Sequence, residues 1–283
     1  MRYRAFGRSG LVVSAVSVLL DAGARRSARD WRGLIEAAMN LGINGFEIAG
    51  DAPAMIEGAA EALSGVEREL LFISWRPRAL AADPGDTVEA FLARTNLGYL
   101  DLLSFDEQAP AAQALERLRE TGLARAFGLT SDDEETDLLI AHGAFEALTT
   151  CYSPISGWRE RNRLKAAARR DMAVIARNIW PEEMHPRKAL LKRSLFANRR
   201  NPLAGMGGYG FLENTPGWTA EEICLAYVLT EPAVTTVRLE VDRIDRMAKL
   251  AEVTDKDLPT GVAAQIEMAR FSDGAPKAAA ARA

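Results

Sequence analysis

Charged and aromatic side chains follow short apolar runs at recurring intervals along this chain: Asp21, Glu47, Asp51, Trp75, Arg76, Arg78, Asp106, Glu107, Arg177 and Arg238. Carboxylates set among arginines are suited to proton transfer, because burial and pairing decide which member holds a proton at neutral pH. Glu47 and Asp106 are the expected catalytic pair, one as proton donor and the other as acceptor. Asp51, Trp75, Arg76, Arg177 and Tyr152 are the expected substrate contacts, with Trp75 either filling volume or offering a flat apolar wall. The same residues equally describe ion pairs that fill a cavity, and spacing alone leaves both readings open.

Other chemistries find less support. The only histidines are His142 and His185, so a metal site would have to be built from carboxylates, and none is expected. Cys151 and Cys224 lie far apart, in no metal-type or redox-type spacing, and are expected as buried free thiols. The segment Cys151-Tyr152-Ser153-Pro154 lies where it would line a pocket, yet no histidine stands near it to activate the thiol. A formal net charge of −4 gives no reason to expect nucleic acid or an anionic membrane as partner. No apolar run approaches the ~20 residues that span a bilayer, and no signal-peptide pattern opens the chain, so a cytoplasmic protein is expected.

Positioning such residues needs a scaffold. The chain has 283 residues, 48% hydrophobic and 26% charged, which suits a globular protein with an ample core. Helix-like and strand-like segments alternate. Strands are expected at 43–48, 70–74, 100–104, 125–129, 146–150, 172–176 and 234–238, with an eighth at Ala15–Leu20. Helices are expected at 28–41, 53–64, 85–96, 110–121, 133–142, 159–169, 219–229, 242–252 and 259–270. Alternation of this kind favours parallel pairing, and eight units favour a closed (β/α)8 TIM barrel of roughly 250 residues. An open doubly wound sheet would want a glycine-rich turn after its first strand, and none is present. A single domain over 1–271 is expected, with a disordered Ala-rich tail over 272–283. The stretch 180–217, basic at Arg187, Lys188, Lys192, Arg193, Arg199 and Arg200 and then glycine-rich over 205–210, reads either as a functional loop or as a solvated helix.

Four segments carry a family resemblance. Tyr3…Gly7-Arg8-Ser9-Gly10-Leu11…Val13-Ser14 is similar to the N-terminal hairpin of the aldo-keto reductases. Gly42-Ile43-Asn44-Gly45-Phe46-Glu47-Ile48-Ala49, Leu97-Gly98-Tyr99-Leu100-Asp101-Leu102-Leu103 and Gly122-Leu123-Ala124-Arg125-Ala126-Phe127-Gly128-Leu129-Thr130 resemble later strands of that family, in the same order. The resemblance spans about residues 1–270 and implies a barrel closed at its bottom by the hairpin.

It also implies a tetrad of tyrosine, lysine, aspartate and histidine at the strand ends. Here the aspartate position matches Glu47, the tyrosine position falls near Ala52, the lysine position on Trp75 and the histidine position on Asp106. No lysine precedes Lys165, no histidine precedes His142, and no tyrosine lies between Tyr3 and Tyr99. The nicotinamide contacts of the family fall on Thr130-Ser131, Thr149 and Arg177. The phosphate loop falls on Arg238-Leu239-Glu240-Val241-Asp242-Arg243, where a carboxylate would repel a pyrophosphate.

These departures from the family pattern lead to the expectation of a reductase-like barrel with no cofactor. NADP(H), met by Arg243 and Arg246 at a helix N-terminus, is the alternative. Three functions follow as expectations. The first is non-redox acid/base chemistry (elimination, isomerisation or cyclisation) on a small, anionic molecule. The second is a non-catalytic homologue that binds a ligand or a protein partner. The third is a divergent NADP(H)-dependent oxidoreductase.

Overall fold

The computed structural model of the chain describes residues 1–79, 84–106, 112–181, 209 and 211–274. The basic and glycine-rich segment within 182–208, His185, Glu107 and the tail beyond 274 lie outside the described residues.

Strands β1 (Tyr3–Ala5) and β2 (Val12–Ser14) pair antiparallel as the N-terminal hairpin. The barrel strands are β3 (Val16–Asp21), β4 (Gly45–Ala49), β5 (Phe72–Arg76) and β6 (Leu102–Phe105). They continue with β7 (Phe127–Thr130), β8 (Ala147–Cys151), β9 (Ala173–Arg177) and β10 (Val234–Leu239). All eight run parallel and close in chain order, with β10 returning to β3. The closed barrel is the architecture that the strand–helix alternation implied.

Around it lie helices α1 (Ala28–Asn40), α2 (Pro53–Leu63), α3 (Gly85–Thr95), α4 (Ala112–Thr121) and α5 (Glu134–His142). The layer continues with α6 (Trp158–Ala168), a short α7 (Phe211–Asn214), α8 (Ala220–Leu229), α9 (Ile244–Val253) and α10 (Val262–Gly274). α10 packs through Val262, Ile266 and Ala269.

Alternation along each strand divides the side chains. One set faces the helices in the large outer core, for example Val18, Phe46, Ile48, Ile73, Leu103, Phe127, Leu129 and Val237. The other fills the barrel. Its lower end is apolar: Phe72, Leu102, Ala126, Ala147, Ala173 and Ile175 pack with Phe6 and Val13 of the hairpin. The Phe6 and Phe72 rings lie 4.5 Å apart, so the hairpin plugs the bottom of the barrel. Gly7 permits this approach. Its φ is +54°, and a Cβ there would meet the Asp171 carbonyl oxygen at 2.6 Å.

Glycine is equally decisive at the α1–α2 contact. A Cβ on Gly58 would lie 2.3 Å from the Ala28 carbonyl oxygen and 2.7 Å from Trp31 Cβ. Gly58→Ala is therefore expected to destabilise the protein by about 1–3 kcal/mol through overpacking, despite alanine's better helix propensity. Urea denaturation would measure it, and an unchanged or raised midpoint would contradict the close packing.

Every barrel strand except β10, which begins at Val234 as expected, begins one to two residues later than the apolar runs suggested, and all end one to two residues later. Leu70 belongs to a 3-10 turn over Arg68–Leu70, and the ladder with β4 starts at Phe72. Arg76, Cys151 and Arg177 are consequently the last residues of strands rather than loop residues.

Candidate functional site

The upper end of the barrel is polar. Inward positions alternate up each strand: Glu47 on β4, Ser74 and Arg76 on β5, Ser104 and then Asp106 on β6, Thr130 and then Asp132 on β7. Thr149 and Cys151 on β8, Arg177 on β9, Thr236, Arg238 and then Glu240 on β10, and Leu19 and Asp21 on β3 complete the ring. Ser74 Oγ lies 3.5 Å from Ser104 Oγ, and Glu47 pairs in register with Ser74, which fixes the facing of these strands.

Glu47 is the centre of one cluster. Its Oε1 accepts from Arg76 Nε at 2.9 Å and from Arg238 Nη1 at 3.0 Å. Arg76 Nη1 also donates to both Asp106 oxygens, at 3.2 and 3.3 Å. Arg238 Nη2 donates to Glu240 Oε1 at 2.9 Å. Depth differs sharply within this chain: the side chains of Glu47 and Arg238 are 5% and 4% exposed, that of Asp106 is 56%. Burial pushes the Arg76 guanidinium down, but Glu47 and Asp106 outweigh it and hold it above its ordinary value. The expected pair, Glu47 and Asp106, is thus brought together through Arg76 rather than by direct contact.

A second cluster surrounds Asp132. Its Oδ1 accepts from Thr150 Oγ1 and the Cys151 amide, both at 2.7 Å. Its other oxygen accepts from Arg177. Burial pushes the Asp132 carboxyl up, but the Thr150 and Cys151 donors with Arg177 outweigh it and hold it below the usual carboxylate range. Sequence reasoning did not single out Asp132. The signal was its place two residues beyond Thr130, on the same side of an extended chain. Buried polar atoms without a hydrogen-bond partner line the same region: Thr130 Oγ1, Thr236 Oγ1, Arg177 Nε and Arg238 Nε.

Several expected site residues stand elsewhere. Trp75 faces the helices, its ring stacked 4.0 Å from that of Phe91 on α3 and its Nε1 donating to the Gly50 carbonyl at 3.0 Å. It is a packing residue, and Arg76 is the residue of β5 that reaches the mouth. Neighbours on a strand face opposite sides of the sheet, so Trp75 and Arg76 have opposite destinations. Tyr152 is also turned outward, into the outer core near Tyr227, and burial pushes its phenol up. Asp51 lies in the exposed turn before α2, where its carbonyl meets Arg94 at 3.4 Å. Cys224 is buried as expected, whereas Cys151 is half-buried beside Asp132 and Arg177 instead of in an apolar environment. Burial and the Asp132 contact push the Cys151 thiol up to about 11, so it stays protonated at neutral pH and is no ready nucleophile.

Arg243 and Arg246, the expected phosphate contacts, do not converge. Arg243 is the exposed N-cap of α9 and forks onto Asp245 at 2.7 and 2.9 Å. It lines a surface groove with Arg26 and Arg29, balanced there by Asp30, Asp242 and Asp245. Arg246 points into a different cleft and forks onto Glu221 at 2.6 and 3.1 Å. Among the described residues no group of three or more His, Cys, Asp or Glu could hold a metal, and no helix is long and apolar enough to cross a membrane.

No protein-family model and no curated protein matches the sequence. Solved structures do match. The holo form of an aldo-keto reductase from Bacillus halodurans superposes with a TM-score of 0.74 at 18% identity, covering 95% of this chain and 96% of that one. Its apo form gives 0.72 at 19% identity with the same coverage. A candidate aldo-keto reductase from Pseudomonas aeruginosa gives 0.66 at 17% identity, over 89% of this chain and 95% of that one. These identities speak for architecture alone: the chain is a barrel of the aldo-keto reductase fold over nearly its whole length.

Proposed function

We propose that this chain is a divergent aldo-keto reductase relative that performs non-redox proton transfer on a small carbonyl-bearing anion at the barrel mouth. The observation that carries this reading is the Glu47–Arg76–Asp106 chain with its gradient of exposure. Asp106 is the reachable carboxylate and takes the role of base. Arg76 supplies positive charge beside it for the substrate's carboxylate or for an oxyanion. Glu47 is too deeply held by Arg76 and Arg238 to meet a ligand first, and acts as the positioning residue that fixes both guanidinium groups. In the step itself, Asp106 removes the proton from the carbon next to the carbonyl. The C–H electron pair becomes the C=C bond of an enolate, whose oxygen takes the charge. The proton then returns to carbon, or a leaving group departs from the neighbouring carbon.

The mouth fits a nicotinamide dinucleotide poorly. Arg243 and Arg246 line separate depressions and are paired with carboxylates, while Glu240 places negative charge at the end of β10. A second reading, a nicotinamide-dependent oxidoreductase, draws support from the likeness to the holo form of a reductase.

Hydrogen–deuterium exchange at carbon separates the two readings. With small 2-oxo acids such as pyruvate and 2-oxobutyrate in D2O, the protein is expected to catalyse exchange of the protons next to the carbonyl without any cofactor. Asp106→Asn is expected to lower that rate by about 100-fold or more while the fold stays intact. Exchange that is absent, or unchanged in Asp106→Asn, would sink the proton-transfer reading. NADPH-dependent reduction of the same acids would establish the second.

A further inference from the structure

A cleft outside the Glu47–Arg76–Asp106 unit lies between the ends of β9 and β10 and helices α8 and α9, with a volume of about 260 Å³. Two arginines and two glutamates line it: Arg238, Arg246, Glu221 and Glu240. Trp180, Leu239 and Leu250 supply an apolar wall. Among the described residues the formal charge of this lining sums to zero, and positive and negative groups face one small volume. A polyanion entering it would meet two carboxylates, and the volume lies below the ~300–1,000 Å³ of sites for drug-sized molecules. The cleft thus disagrees with a dinucleotide in both charge and size.

The hydrogen bonds show where a ligand's charges would go. Arg246 spends Nε and Nη2 on Glu221, but its Nη1 has only the Glu240 carbonyl at 3.2 Å and Asp242 Oδ1 at 3.4 Å. Glu240 binds Arg238 through Oε1, and its side chain remains 59% exposed. Arg238 is itself almost wholly buried in the cleft wall, and its Nε has no partner. A donor held with long contacts, an accessible carboxylate and an unpaired buried guanidinium nitrogen meet beside an apolar wall.

We propose that this cleft binds a zwitterionic α-amino acid with an apolar side chain. Its carboxylate lies on Arg246 Nη1, its ammonium on Glu240, and its side chain against Trp180 and Leu250. A dipolar ligand satisfies both signs of charge at once, which a simple anion or cation cannot do without leaving one pair opposed. Arg238 also reaches Glu47 at 3.0 Å, so occupancy of the cleft adjoins the polar chain of the mouth. The proposal stands on the cleft alone and does not depend on which reaction the mouth performs.

Isothermal titration calorimetry with L-phenylalanine, N-acetyl-L-phenylalanine and L-phenylalanine methyl ester tests it. The free amino acid is expected to bind, and each blocked form, lacking one charge, to bind about tenfold more weakly or worse. Glu240→Gln, a change at an exposed side chain, is expected to remove the preference for the free ammonium over the N-acetyl form. Failure of L-phenylalanine and L-leucine to bind at millimolar concentration overturns the proposal. So does equal binding of all three forms, an unaltered preference in Glu240→Gln, or NADPH displacing the amino acid at lower concentration.

Discussion

Glu47→Ala is expected to destabilise the protein by about 3–5 kcal/mol, because it leaves the buried Arg238 guanidinium without its main counter-charge. Arg76 keeps Asp106 and suffers less, but Arg238 retains only the exposed Glu240 and an unpaired Nε. Glu47→Gln preserves an acceptor for both arginines and loses only the charge, so a smaller cost of about 1–3 kcal/mol follows. Glu47→Met combined with Arg238→Met is expected to recover most of the alanine loss. Replacing both members of a buried ion pair by apolar groups removes the desolvation penalty together with the attraction. Guanidinium denaturation of the four proteins measures the series. A double variant as unstable as Glu47→Ala would show that the pair contributes more than charge compensation.

Asp101→Ala is expected to cost a similar amount, about 3–5 kcal/mol, at the opposite end of the barrel. Asp101 is buried where the chain enters β6. Its Oδ2 accepts from the Ile73 amide and from Arg68 Nη2, both at 2.8 Å. Arg125 approaches its other oxygen at 3.6 Å. The Tyr99 ring lies between the two guanidinium groups, 3.9 Å from that of Arg68 and 3.8 Å from that of Arg125. Removing the carboxylate orphans a buried amide and opposes two arginines across one ring. Asp101→Asn keeps an acceptor for Ile73 and is expected to lose only about 1–3 kcal/mol.

The pH dependence has a definite sign. Burial pushes the Asp101 carboxyl above its ordinary value despite Arg68, the Ile73 amide and Arg125. The folded state therefore binds this proton more tightly than the unfolded state does. Asp101 contributes more to stability as pH falls from above its folded value to below its unfolded value, near 3.9. The deficit of Asp101→Asn relative to the wild type is thus expected to be smallest at neutral pH and to widen on acidification. Denaturation midpoints at pH 7 and pH 4 test this, and a deficit that narrows would reverse the assignment.

Architecture was legible because it depends on patterns that repeat. Eight apolar runs separated by amphipathic helices admit few other arrangements, and the strands close in chain order as the alternation implied. The hairpin was legible only through the family resemblance of Tyr3 to Ser14; the structure adds that Gly7 turns tightly against Asp171. Strand ends were less legible. An apolar run does not say which of its residues starts the ladder, and Leu70 and Leu71 look as strand-like as Phe72.

That ambiguity of one residue decided most of what the sequence misassigned at the site. Trp75 and Arg76 are neighbours with opposite destinations, and only the register with β4 and β6 tells them apart. Tyr152 follows Cys151 in the same way and turns outward, while Cys151 stays at the mouth. Asp132 escaped notice because its importance comes from Arg177, Thr150 and Cys151, which approach it from other strands.

By itself, then, the amino-acid sequence determined a parallel eight-stranded barrel and a set of carboxylates and arginines at its strand ends. Only the tertiary structure decided which of these charges are buried, which share a partner, and that Arg243 and Arg246 diverge. The physical reason is that composition and periodicity act locally, through burial of apolar faces, whereas pairing in a barrel mouth joins residues as far apart as Glu47 and Arg238. Their contact exists only once the last strand has closed against the first.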